Sequence, residues 1–214
     1  AERAYARAVA REFVDSLVQA GTTSALVFGS HFPEAVDELF EAAHATGLRI
    51  ASGLVVSDRF LPAALLTGPD TALADGSALA GRWHGTGRLR YAVTPRFSLS
   101  CTDPMLASCR ELLDAVPGAL FTSHVNENLA EVAQVRELFG TAYVDSYDRH
   151  GLLGPRSVLA HDVHPTDGEL ATLARTGCGI AHCPTSNSAL ASGSFPLRRH
   201  LSHGVRVALG TDVG

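Results

Sequence analysis

The sequence contains no lysine: all 17 of its basic residues are arginines. Within this chain that excludes a Schiff-base lysine, a lysine general base, a P-loop lysine and a carbamylated-lysine metal bridge. No pair among Cys101, Cys109, Cys178 and Cys183 has C-x-x-C spacing. The chain is neither short nor cysteine-dense, so the four read as reduced thiols of a cytoplasmic protein. No apolar stretch approaches the roughly 18 residues that a membrane span requires, and nothing near residue 1 has a signal-peptide pattern. No basic run exists. A net charge of −5 and a pI near 6.0 argue against nucleic acid or an anionic membrane as the primary partner. The expected partner is a small molecule.

What is present is a sizeable core and many histidines. Hydrophobic residues make up 46% of the 214, and mean hydropathy is +0.12. Apolar, β-branched runs alternate with amphipathic segments. Strands are expected at 22–30, 49–57, 89–93, 119–124, 157–162, 179–184 and 206–212. Helices are expected at 3–20, 32–47, 71–86, 103–118, 128–140, 166–177 and near 194–202. Gly47, Gly140 and Gly177 supply stops, and Thr166 with Glu169 has capping-box spacing. Seven strands with helices between them imply βαβ units and a parallel sheet. The strands read as continuous apolar runs, as when both faces are covered. An open doubly wound sheet is one closure, but no G-x-G-x-x-G follows an early strand. The other is a (β/α)8 barrel with one strand missing, which the chain enters on a helix and leaves on a strand. No linker divides residues 1–214, which read as one barrel domain truncated at both ends.

In a parallel barrel the chemistry lies at the C-terminal strand ends. There the sequence places Arg96 and Phe97, then His124 with Glu127 three residues on. His161 with Asp162 and His164 follows, then His182 with Cys183, and then Asp212. Each has an ordinary explanation taken alone. A strand-end histidine is commonly a structural hydrogen-bonding group. Asp212 could be a helix N-cap, and Glu127 could favour a helix dipole. Their shared register on one rim favours a metal site, since neutral imidazoles and a carboxylate suit zinc or iron. Cys178, His182 and Cys183 share one strand and cannot wrap an ion, so the two thiols are read as packing. His31, His44, His84, His150, His200 and His203 receive no role, and His164 at most supports a ligand.

The motifs "TPRFSLSCT" (94–102), "SHVNEN" (123–128), "LAHDVH" (159–164), "AHCPTSN" (181–187) and "LGTDVG" (209–214) together resemble the guanine deaminase branch of the amidohydrolase superfamily. The resemblance runs from about residue 3 to residue 214. It implies an α/β (β/α)8 TIM barrel of amidohydrolase type, incomplete here, with strands 2–8 present and the first strand and terminal β-sandwich absent. It implies one zinc or iron per chain, with His124, His161 and Asp212 as metal ligands. Glu127 would shuttle protons, Asp212 would also take a proton from water, and Arg96 and Phe97 would bind the purine. The implied reaction is hydrolytic deamination of guanine to xanthine and ammonia. Fold-level analogy adds a homodimer as the assembly. The family also implies an H-x-H ligand pair after the first strand, and none of the ten histidines forms one. The chain therefore reads as a piece of a longer protein. The alternatives are a related deaminase or chlorohydrolase acting on adenosine-like, pterin or triazine substrates, an inactive barrel fragment, or an open-sheet nucleotide-binding protein.

Overall fold

The computed structural model describes residues 2–212. Its elements alternate along the chain. Helix α1 (Arg3–Gln19) precedes strand β1 (Ser24–Leu26), then come α2 (Pro33–Thr46), β2 (Arg49–Ser52) and β3 (Val55–Val56). Helix α3 (Pro69–Trp83), β4 (Arg90–Pro95), α4 (Asp103–Ala115), β5 (Leu120–Val125), α5 (Leu129–Phe139) and α6 (Tyr143–Asp148) follow. The chain continues through β6 (Ser157–His161), α7 (Asp167–Thr176), β7 (Gly179–His182), α8 (Pro184–Ala189), α9 (Leu197–Ser202) and β8 (Arg206–Leu209). Every strand pairing is parallel, in the order β1-β2-β4-β5-β6-β7-β8, with β3 pairing β4. This is the expected α/β barrel wall, open between β1 and β8 among the described residues. It is the incomplete TIM barrel that the sequence resemblance implies.

Each of the seven expected strand regions contains strand, with three kinds of correction. The run 49–57 is broken into β2 and β3 at Gly53-Leu54. The physical reason is a close approach: a Cβ on Gly53 would lie 1.8 Å from the Ala92 carbonyl oxygen. The strands expected at 22–30, 179–184 and 206–212 are shorter, because their last residues turn off the ladder to form the rim. Helices α6 and α8, of six residues each, are additions to the expected set.

One apolar core joins the layers, with Phe40, Ile50, Tyr91, Phe121, Leu159 and Leu170 among its buried members. Local signals set the helix ends. Thr166 and Glu169 form the expected capping box on α7, and Asn128 caps α5 by accepting the Glu131 N–H at 3.0 Å. Buried Asp37 and Glu38 on α2 tie three helices together. Arg3 and Arg7 of α1 bond Glu38, and Arg82 and the Trp83 indole N–H of α3 bond Asp37. The arginine partners hold the Glu38 carboxyl at about 2, the Arg7 hydrogen bond being the largest cause. No helix of the described residues is long and apolar enough to cross a membrane.

Candidate active site

Strands β4, β5 and β6 and the segment after β8 deliver their last residues to one rim. His124 is the fifth residue of β5, and its Nδ1–H donates to the Arg96 carbonyl at 2.8 Å. That leaves Nε2 as the free nitrogen. Burial, reinforced by neighbouring His161, pushes the His124 imidazole down to about 4, so it is neutral at pH 7. His161 ends β6 and is fully buried. Its Nδ1–H donates to Asn187 Oδ1 at 2.9 Å, and its buried Nε2 has no hydrogen-bond partner. The two imidazoles stack with centroids 5.1 Å apart. Asp212 Oδ2 accepts the Ser186 hydroxyl at 2.6 Å and lies 3.8 Å from His161 Nε2.

One ligand atom from each of His124, His161 and Asp212 falls within 4.8 Å of the others. This donor set fits a metal ion. Both histidines spend their Nδ1–H on oxygen acceptors, which fixes the tautomer with the lone pair on Nε2. The unpartnered Nε2 of His161 is a buried polar atom that a cation would satisfy. Glu127 Oε2 lies 3.8 Å from the same nitrogen, so the carboxyl expected to carry protons stands beside the three candidate ligands. Arg96 and Phe97 are adjacent to them. Their backbone pairs with β5 as a bridge between Phe97 and His124. The Arg96 guanidinium carbon is 5.2 Å from the Phe97 ring centroid, and the Phe97 ring is 6.2 Å from that of His124.

A profile of the amidohydrolase family matches residues 2–214. The chain belongs to the amidohydrolase family. A probable guanine deaminase from Deinococcus radiodurans is 58% identical over 216 residues, covering 100% of this chain and 49% of that protein. The structure of Escherichia coli guanine deaminase superimposes with a TM-score of 0.97 at 39% identity, covering 100% of this chain and 51% of that one. A guanine deaminase from C. acetobutylicum, with guanine bound in its active site, gives a TM-score of 0.94 at 30% identity. It covers 99% of this chain and 51% of that chain. This amidohydrolase chain thus spans about half the length of the relatives it matches.

Several supporting residues were not singled out from the sequence. Asn187 and Ser186, in "AHCPTSN", hold His161 and Asp212. His200, given no role, is fully buried and donates from Nε2 to Asp162 Oδ2 at 2.8 Å. Asn126 Nδ2 donates to Asp162 Oδ1 at 2.8 Å and to Glu169 Oε1 at 3.2 Å. This network lies behind the amidohydrolase rim and braces the turn that presents His161. His164 bonds the Ser192 carbonyl at 2.7 Å instead of supporting a ligand. His182 stacks on Phe195 at 4.3 Å, and Phe195 stacks on His200 at the same distance. The four cysteines are free and buried, as packing requires.

Proposed function

We propose that the natural protein carrying this chain hydrolyses guanine to xanthine and ammonia, with one zinc or iron ion held in part by His124, His161 and Asp212. The observation that carries this is the juxtaposition of the Arg96–Phe97 segment with the His124–His161–Asp212–Glu127 cluster. Both are present in a chain 58% identical to a probable guanine deaminase. When bound, the ion lowers the pKa of a coordinated water toward about 7 and so supplies a nucleophile at neutral pH.

This chain's own residues do the rest. Arg96 presents fork-shaped donors to the purine carbonyl and ring nitrogen, and Phe97 packs on the ring. Asp212 accepts a proton from the attacking water. Glu127 delivers a proton to the ring nitrogen and then to the departing amino group, cycling between acid and base. One water is consumed, the C–N bond at C2 breaks, and ammonia leaves. A site built to donate to a carbonyl leaves those donors unpaired against adenine, which is discriminated by orders of magnitude. We also place the protein in the cytoplasm, as its reduced thiols suggest, and take a homodimer as its assembly. Neither statement bears on the chemistry.

The test is product formation. Zinc- or iron-loaded natural protein should release xanthine and ammonia in equal amounts from guanine, and a chelator should abolish it. Metal bound without guanine turnover would move the reading to another substrate of the same family. Absence of metal would remove it altogether.

A further inference from the structure

Beyond the bonds that His124 makes to the Arg96 carbonyl, the segment that carries Arg96 and Phe97 is tied to the metal-ligand strand by a buried hydroxyl. Tyr147, on α6, is fully buried. Its oxygen accepts the N–H of Ser98 at 2.9 Å, the residue directly after Phe97. The same hydroxyl donates to the carbonyl of His124 at 2.8 Å. A phenol has one proton to give and lone pairs to receive, so both bonds form together. Ser123 Oγ lies 2.8 Å from the Tyr147 oxygen and donates to the Pro95 carbonyl at 2.8 Å. The preceding residue of α6 adds a second hold, with Ser146 Oγ 2.5 Å from Ser98 Oγ. The ring itself is fixed by Phe121, edge-on at 5.7 Å, and by Tyr143, stacked at 6.1 Å.

We propose that Tyr147 is a positioning residue that sets the spacing between the base-recognising Arg96–Phe97 pair and His124, and thereby governs affinity and selectivity for the purine. The role rests on the guanine reading for its substrate, but the clamp itself is a property of this chain. Tyr147 touches neither the ligand nitrogens nor Glu127, so proton transfer does not pass through it. A looser clamp displaces the recognition fork relative to the metal centre. A fork that holds the base less firmly loses binding common to ground and transition states, which reads as a rise in KM with little change in kcat.

Tyr147→Phe in the metal-loaded natural protein tests this, with Tyr143→Phe as control. Tyr143 lies on the same helix and is equally buried, but its hydroxyl bonds Glu131 and not the recognition segment. The expected result for Tyr147→Phe is a rise in KM for guanine of about tenfold, kcat within about threefold, a similar loss of discrimination among purines, and unchanged metal content. Tyr143→Phe should leave KM unchanged. Hydrogen exchange over residues 96–100 supplies a readout independent of turnover, and exchange at the Ser98 amide should speed up at least about tenfold in Tyr147→Phe alone. Unchanged KM and unchanged exchange would overturn the proposal. Equal rises in KM in the two variants, or a loss of metal content in Tyr147→Phe, would also overturn it, by showing a merely structural role. If the wild-type protein does not turn over guanine, the substrate reading fails, and the exchange measurement still decides the clamp.

Discussion

Replacing Glu131 with Gln should change how stability depends on pH. Glu131 is 5% exposed and lies in the first turn of α5, just beyond Glu127. Its carboxylate accepts the Tyr143 hydroxyl and, at 3.2 Å, the Asn128 amide. Burial nonetheless raises it from 4.5 to about 7, outweighing the Tyr143 bond, and the nearby charge of Glu127 pushes it further up. A carboxyl raised in the folded state binds its proton more tightly there than in the unfolded chain. Its contribution to stability is complete below about pH 4.3 and is lost as pH rises through about 7. Between pH 5 and pH 8 the loss is roughly 2–3 kcal/mol. The Gln variant has no such titration. Its altered contact with Asn128 is a pH-independent cost that cancels when the two pH values are compared. Denaturant unfolding of wild type and Glu131→Gln at pH 5 and pH 8 gives the four values needed. The wild type should lose roughly 2–3 kcal/mol more than the variant over that range. A difference below about 0.5 kcal/mol would mean that Glu131 ionises at an ordinary pH, and would refute the burial argument.

Three further outcomes are expected. His161→Ala removes the buried unpartnered Nε2, so metal content per chain should fall at least about tenfold, read by elemental analysis after dialysis. Arg96→Ala should lower kcat/KM for guanine by about 100-fold or more while leaving metal content unchanged, and normal guanine turnover would sink the assigned role. Gly53→Ala forces a Cβ to within 1.8 Å of the Ala92 carbonyl oxygen between adjacent strands. It should yield little soluble protein on expression, whereas Gly81→Ala, with nothing within 4 Å, should express normally.

Much of the fold was legible because the parallel barrel writes itself in two strong signals. Buried strands such as 120–125 are apolar runs, and helices such as α7 announce both ends, with Thr166 and Glu169 at one and Gly177 at the other. The rim residues were legible because chemistry-bearing side chains followed successive strands. The bracing residues were not. His200 and Asp162 are 38 positions apart and meet only because α9 returns to the turn that follows β6, so no local pattern links them. Tyr147 and Ser98 are 49 positions apart, and the helix that joins them has only six residues. Sequence spacing reports what one element does to itself, and these contacts form between elements.

The same distinction explains the backbone at the rim. Asn126, His161, Asp162 and Asp212 all have positive φ, at 48°, 76°, 47° and 55°. Asn, Asp and His are the side chains most often found in the left-handed region, and each is still held there at a cost of about 1–3 kcal/mol. Such a conformation persists only where its surroundings over-determine it. Here the Asp162 N–H bonds the Val125 carbonyl at 2.9 Å, and the N–H groups of Val163 and His164 both bond the Asn126 carbonyl. Asn126 and His200 then hold the two oxygens of Asp162. The strained ends of β5 and β6 therefore fix each other. What that arrangement secures is a direction: the last residue of β6 is held at a positive φ, and His161 Nε2 comes to rest 3.8 Å from both Glu127 and Asp212. The geometry of the candidate ligands is thus a property of the β5–β6 pair and its buried Asp162–Asn126–His200 network. Substitutions there should loosen metal binding although none of those three side chains belongs to the proposed ligand set.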